Sequence, residues 1–355
     1  MKKELLVASA LATTLLGASV AQAATASFSG HSRNGVEGED TDGTADGTFK
    51  ASQQSSLSFS VSETTDSGIK VSTGFTVADE GAADGANTDG LTLTFTDGSK
   101  LDLIEAGNAY ASQLASVPGA SGEQGVAGTS TNNAPTGLTF ANASSSVGFE
   151  WHSAADAMGV EGLKIGLSGS TGDDGDGNGS SSTVETAYSV GLSYVTTAGD
   201  STVTVGGGFV SADDSNADTA NSKGEQFAVA ATAATGDLTV GVGFASGTEV
   251  QSKTTTTQTV EVDGAEVMTA GAKYVSGDIT FAVGYVDGEA KDTTSLGSAG
   301  SKTDTYESTA ASVTYSVASG VSAILGYSDQ DRGDESSATA NNSGSAWYVG
   351  ALVSF

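Results

Sequence analysis

The chain has 355 residues, of which 43 are acidic and 13 are basic, and its formal net charge is −30 at pH 7. A surface this acidic repels nucleic acids, so no nucleic-acid partner is expected, and a chain without cysteine has no disulfide framework or thiolate metal site. Glycine is abundant, with 49 residues, only two prolines occur, and stretches of helical periodicity are scarce. This composition predicts an all-β protein with many turns.

The first 23 residues have the three parts of a secretory signal peptide. A basic start is followed by an apolar run over residues 5–16 and by a small-residue cleavage site, A-Q-A, at 21–23. We therefore expect an exported protein whose mature chain, residues 24–355, forms one domain. No later apolar run approaches the ~20 residues that a transmembrane helix needs.

Sixteen later segments alternate apolar and polar residues, which is the period of a strand with one apolar face. The last ends on Phe355, and its apolar residues fall on one side. An apolar final strand is expected where that strand must pair with the first to close a membrane barrel. In chain order the segments centre on Phe28 and on residues 57–61, 69–77, 91–95, 101–103, 147–151, 163–167, 184–194, 203–209, 227–231, 238–244, 268–274, 279–285, 313–317, 321–327 and 347–355.

The connections between these segments alternate between tight glycine turns and long polar stretches. The tight turns lie at 66–68, 97–99, 198–200, 235–237, 276–278 and 319–320, with a somewhat longer one around 155–162. The long stretches are 35–54, 79–89, 106–144, 172–182, 212–225, 247–266, 288–305 and 329–345. Long loops at one end only predict a transmembrane antiparallel β-barrel of 16 strands, with short periplasmic turns and long extracellular loops.

Aromatic side chains support this interpretation, because they lie near strand ends on the apolar face, where an interfacial girdle would place them. They are Tyr194, Tyr274, Tyr285, Tyr315, Tyr327 and Trp347.

The sequence resembles the general porins of Gram-negative bacteria, of the alphaproteobacterial type. The resemblance extends from A-S-F-S-G at 26–30 to the final strand, W-Y-V-G-A-L-V-S-F, and includes the hairpin at 62–70. It implies a sixteen-stranded barrel in the outer membrane, usually a homotrimer, that passes small hydrophilic solutes. Residues 106–144 would be the third loop, which folds into the pore and narrows it. By resemblance, Tyr348 and Phe355 would belong to the signal that the barrel-assembly machinery reads.

One feature departs from the family pattern. Such porins usually set an arginine cluster on the wall opposite carboxylates of the third loop, but this chain has only Arg33 and Arg332, and the second is assigned to a loop. The large excess of fixed negative charge predicts a cation-selective pore. The constriction candidates are His31, Arg33, Lys70, Glu150, His152 and Lys164 on the wall, and Glu105 and Glu123 in the third loop.

A calcium site is suggested by one loop. Asp174, Asp176, Asn178 and Glu185 have the spacing of the oxygen ligands in an EF-hand. However, no predicted helices flank them, and Ser181 stands where an apolar residue is expected. The sequence therefore leaves two possibilities for calcium: it binds to this loop, or it bridges the acidic loops and lipopolysaccharide. No cofactor is required.

No enzyme signature is present. His31 and His152 are the only histidines, and serine is too abundant for its proximity to either to mean anything. Two alternatives to a general porin stay open: a substrate-selective channel, and a secreted, acidic, calcium-binding scaffold or adhesin. The second would require soluble strands that fold on binding calcium, whereas the terminal strand and the one-sided long loops favour the barrel.

Overall fold

The computed structural model describes residues 24–41, 48–79, 85–103, 108–120, 147–171, 184–214, 223–247, 260–294, 302–333 and 342–355. Within them the chain forms sixteen β-strands, a short helix α1 (Ala109–Ser112) and a 3-10 turn at Ala157–Gly159. No helix of this part is long and apolar enough to cross a membrane. The strands are β1 (Thr25–Thr41), β2 (Thr48–Thr64), β3 (Lys70–Asp79), β4 (Gly85–Thr94), β5 (Lys100–Leu103), β6 (Val147–His152), β7 (Leu163–Thr171), β8 (Val184–Ala198), β9 (Ser201–Asp214), β10 (Lys223–Thr235), β11 (Leu238–Gly247), β12 (Val260–Ser276), β13 (Ile279–Thr294), β14 (Lys302–Ala318), β15 (Val321–Gly333) and β16 (Asn342–Ser354).

The strands form one closed antiparallel barrel. Each pairs with its neighbours in the chain, and β16 pairs with β1, placing Val349 opposite Val36. Gly30 and Phe355 exchange both backbone hydrogen bonds at 3.0 Å and so extend this seam to the last residue. Closure pairs the strand edges that an open sheet would expose, as a sheet in lipid requires. Each of the sixteen predicted segments overlaps one strand.

The wall of the barrel is apolar outside and largely polar inside. On β1, Phe28 and Val36 point outwards and are exposed, whereas Arg33 points inwards and is buried. The ring of Phe28 contacts Phe59, which in turn contacts Phe75, at centroid separations of 4.9 and 5.3 Å. An exposed apolar band of this extent is stable only against another apolar phase, and a bilayer provides one.

The short turns form as predicted. Gly68, Gly98, Gly199 and Gly236 have positive φ values, which side chains disfavour and glycine tolerates. In the turn before β5, the carboxylate of Asp97 accepts hydrogen bonds from the hydroxyl and the backbone N–H of Ser99, at 2.7 and 2.9 Å. These bonds favour the ionised form and lower the pKa of Asp97.

The predicted extent of the long loops is wrong, because the strands continue past the apolar alternation. Strand β1 runs to Thr41 and β2 begins at Thr48, where a loop was expected over 35–54. Likewise, β13 continues to Thr294, and Arg332 belongs to β15 rather than to a loop. Beyond the lipid, the hydrogen-bonded ladder needs no apolar face, so periodicity does not reveal its end.

Candidate functional site: the pore lumen and the third loop

The structure describes residues 108–120 of the predicted third loop, and they lie against the inner wall. Helix α1 begins there, with the Asn108 side chain accepting a hydrogen bond from Tyr110 N at 3.2 Å. The backbone N–H of Ala109 donates to Ser168 Oγ on β7 at 3.2 Å, and that of Tyr110 donates to Ser189 Oγ on β8 at 3.1 Å. Two strands therefore hold the start of the segment by its main chain.

Lumen-facing glycines let the loop backbone approach the wall closely. A Cβ atom at Gly191 would lie 2.1 Å from the carbonyl oxygen of Ala109, and one at Gly271 would lie 1.7 Å from that of Pro118. Such distances are too short for any side chain, so glycine is required under the loop. We call these residues the glycine track: Gly191, Gly206, Gly208, Gly241 and Gly271.

Apolar contacts hold the segment at both ends. Near its start, Tyr110 is buried with Val210, Ala228 and Ala245 of β9 to β11. This burial raises the pKa of the Tyr110 hydroxyl. The last described residue of the segment, Ala120, packs on the far side against β14 to β16. Its neighbours there are Ala310, Ile324 and Tyr348.

Gln113 joins the loop to two strands. Its side-chain Nε2 lies 3.0 Å from His152 Nδ1 on β6, and its Oε1 accepts a hydrogen bond from Ser193 Oγ on β8 at 2.8 Å. The Gln113 side chain is buried, so both amide groups need these partners.

Beyond Gln113, His152 faces two carboxylates. Its Nε2 lies 3.3 Å from Glu150 Oε1 and 3.6 Å from Asp102 Oδ2. The other oxygen of Asp102 accepts a short hydrogen bond from the hydroxyl of Thr92. Glu150 and His152 were predicted to line the wall, but Asp102 was not. The alternation of side chains along β5 could have revealed it, because Asp102 lies between the outward-facing Leu101 and Leu103 and must face the lumen.

Arg33 lies at the opposite end of the loop segment. Its guanidinium carbon is 4.6 Å from the ring centroid of Tyr348, and its Nε donates to Gln54 Oε1 at 3.1 Å. Tyr348 faces the lumen and is buried, whereas Phe355 faces outwards and is exposed. The two residues of the predicted assembly signal are therefore on opposite faces of β16.

The remaining predicted site residues are not assembled around the loop segment. Lys70 and Lys164 point into the lumen near the short turns, and neither forms an ion pair with another described residue. His31 also faces inwards, two residues from Arg33. Glu185 belongs to β8, next to an irregularity between Val184 and Thr186. Five predicted residues lie outside the described ranges: Glu105, Glu123, Asp174, Asp176 and Asn178.

The family of the chain is shown by a sequence comparison. A family model described as Gram-negative porin matches residues 7–354. The chain belongs to the Gram-negative porin family. Membership confirms the predictions of a porin and of a protein that is not an enzyme, and it places this channel in the outer membrane. No curated protein matches the chain.

Several solved structures share the fold at low sequence identity. The anion-selective porin from Comamonas acidovorans superposes with a TM-score of 0.63 at 11% identity, covering 94% of this chain and 100% of that chain. The trimer form of OmpT, an outer membrane protein of Vibrio cholerae, gives 0.60 at 16% identity, with coverage of 94% and 100%. Salmonella typhi OmpF, solved with daunomycin, gives 0.62 at 14% identity, with coverage of 93% and 97%. The predicted sixteen-stranded barrel is thus confirmed.

Proposed function

We propose that this porin is a passive diffusion channel for small hydrophilic solutes and ions, and that it prefers cations. The observation that carries the proposal is the segment 108–120, which is bonded to the inner wall of a closed, outwardly apolar barrel. The lumen of a barrel of this size is too wide for its own side chains to fill. The segment 108–120 occupies part of the lumen and so narrows the aperture.

The cation preference is inferred from the charge of the chain. Acidic residues outnumber basic ones by 43 to 13, and Asp102 and Glu150 face the lumen beside the loop. The described wall also carries inward-facing cations, Arg33 among them, so it is not uniformly acidic. The net charge of −30 raises the local concentration of cations at the pore and disfavours the entry of anions.

The finer features of assembly are proposed on the family resemblance. We expect cleavage of the signal peptide after residue 23, recognition of Tyr348 and Phe355 by the barrel-assembly machinery, and a homotrimer in contact with lipopolysaccharide. One neighbour, OmpT of Vibrio cholerae, is described in a trimer form. The calcium loop at Asp174 stays a prediction. A secreted calcium-binding scaffold receives no support from the family or from the closed barrel.

The decisive experiment is single-channel recording in a planar bilayer under a salt gradient, with and without a calcium chelator. We expect stepwise ohmic openings and a reversal potential whose sign shows that cations permeate more readily than anions. A reversal potential that favours anions would refute the selectivity. The absence of channel openings with correctly folded protein would refute the diffusion channel itself. A change in conductance or reversal potential on chelation would indicate bound calcium.

A further inference from the structure

We propose that Asp102, Glu150 and His152 form a binding site for a divalent transition-metal ion of the zinc type. The three side chains point into the lumen from adjacent strands, because Asp102 of β5 is opposite Glu150 of β6 in the register and His152 follows on the same face. One ligand atom from each lies within 4.8 Å of the other two. The group is not apparent from the sequence, because the third loop separates β5 from β6 along the chain.

The separations suit a small cation. Ligand atoms bonded to zinc at about 2.1 Å in tetrahedral geometry are about 3.4 Å apart. His152 Nε2 is 3.3 Å from Glu150 Oε1 and 3.6 Å from Asp102 Oδ2. An ion placed between these three atoms would draw the two carboxylates together by a small side-chain movement, and a water molecule from the lumen would supply the fourth ligand.

The burial of Glu150 points independently to a cation. The residue is only 3% exposed, and its Oε1 has no hydrogen-bond donor among the described residues. A carboxylate held out of water in this way is costly unless a positive charge or a donor compensates it. His152 Nε2 lies 3.3 Å from this oxygen and compensates its charge only when the imidazole is protonated. With a neutral imidazole, a cation bound beside Oε1, Nε2 and the Asp102 carboxylate would take over that role.

The ligands are also held in position by a second set of contacts. Histidines that bind metals usually donate their second ring N–H to an acceptor that fixes the ring. Here, Gln113 faces Nδ1, and a half-turn of its amide would present the oxygen to Nδ1–H while its nitrogen donated to Ser193 Oγ. The Thr92 hydroxyl similarly orients Asp102. The chain can therefore accept the metal without moving the loop.

The ligand set selects among divalent ions. One imidazole and two carboxylates suit zinc and its neighbours in the first transition row, whereas calcium and magnesium prefer six or more oxygen ligands. Asp102 and His152 are half-buried, which leaves the site open to the lumen. Because Gln113 connects it to the segment 108–120, an ion bound here would hold that segment more firmly against the wall. On the proposed channel function, less movement of the segment would lower the noise of the open-channel current.

Binding can be tested by calorimetric titration of the detergent-folded protein with Zn²⁺, and by the absorption spectrum of Co²⁺ as a reporter of imidazole ligation. We expect one tight site per chain in the wild type and in His31→Gln, which removes the other histidine. Loss of an outer-shell partner costs about 10–100-fold in metal affinity, so removal of a ligand in His152→Gln or Glu150→Gln should weaken this site by at least about 100-fold. A tight site that survives His152→Gln, or no tight site in the wild type, would overturn the proposal.

Recording with micromolar Zn²⁺ on both sides of a bilayer tests the link to the loop. The noise of the wild-type open-channel current should fall and that of His152→Gln should not, while Mg²⁺ at the same concentration should affect neither. Zinc binding with unchanged noise in the wild-type current would refute the link to the loop but support the site. Because calorimetry needs no conduction, a protein that binds zinc but never conducts would refute only the diffusion channel.

Discussion

Arg33 covers the aromatic ring of Tyr348, with its guanidinium carbon 4.6 Å from the ring centroid. The two residues belong to β1 and β16, so the contact crosses the seam at which the barrel closes. Beneath the ring, Gly35 and Gly350 leave the space that it occupies. The one arginine whose described side chain faces the lumen therefore covers a tyrosine that contacts Ala120 of the third loop.

We expect Arg33→Met to reduce the free energy of unfolding by about 1 kcal/mol, since methionine keeps an apolar stem but loses the cation–π interaction. Urea titration of the folded barrel measures this change. A double-mutant cycle with Tyr348→Leu should show that the two effects are coupled. Additive effects would show that the contact contributes nothing of its own.

Adding a methyl group to the glycine track should push the loop away from the wall. In Gly191→Ala the new Cβ would collide with the carbonyl oxygen of Ala109, and overpacking of this kind costs about 1–3 kcal/mol. We expect lower stability and a smaller single-channel conductance. The control is Gly169→Ala on the outer face of β7, where the nearest atom is a ring carbon of Phe149 at 3.2 Å. Equal conductance in both variants would argue against a loop that sets the aperture.

Gln113→Leu should loosen the loop from the wall. The replacement has a similar size but leaves His152 Nδ1 and Ser193 Oγ without this partner, at a cost of about 1–3 kcal/mol. We expect greater noise in the open-channel current, because the loop then moves more freely. Ser116→Ala, at an exposed position of the same segment, is the matched control and should leave the noise at the wild-type level.

The double variant Asp102→Asn and Glu150→Gln removes two negative charges that face the lumen. In the presence of a metal chelator, we expect its reversal potential in a salt gradient to move towards that of an anion-permeable pore. Asp97→Asn, which removes one charge in a short turn, should shift it less. An unchanged reversal potential in the double variant would place the determinants of selectivity elsewhere.

The sequence predicts the strands well because lipid imposes one apolar face on each of them. Even the four-residue strand β5 is found from Leu101 and Leu103, and the terminal segment from Trp347 to Phe355 covers the second half of β16. The ends of the long strands are missed for the converse reason. Outside the lipid, the ladder of hydrogen bonds continues without any constraint on the side chains.

The site is predicted only in part. Parity along β6 predicts that Glu150 and His152 face the lumen, but no local pattern predicts that Gln113 lies against His152. The role of the glycine track cannot be predicted from the sequence, because nothing distinguishes its glycines from the others in a glycine-rich chain. Their role depends on the path of the loop, which is a tertiary property.

The long strands have a consequence for how solutes approach. A strand of 17 residues such as β1, tilted by about 40°, is about 43 Å tall, while the apolar band of such a barrel is about 25 Å. On β13 the outward-facing Tyr285 is followed by nine further strand residues. The strands therefore continue beyond the membrane surface. An ion that approaches the pore comes under the electrostatic influence of the protein before it reaches the level of the lipid.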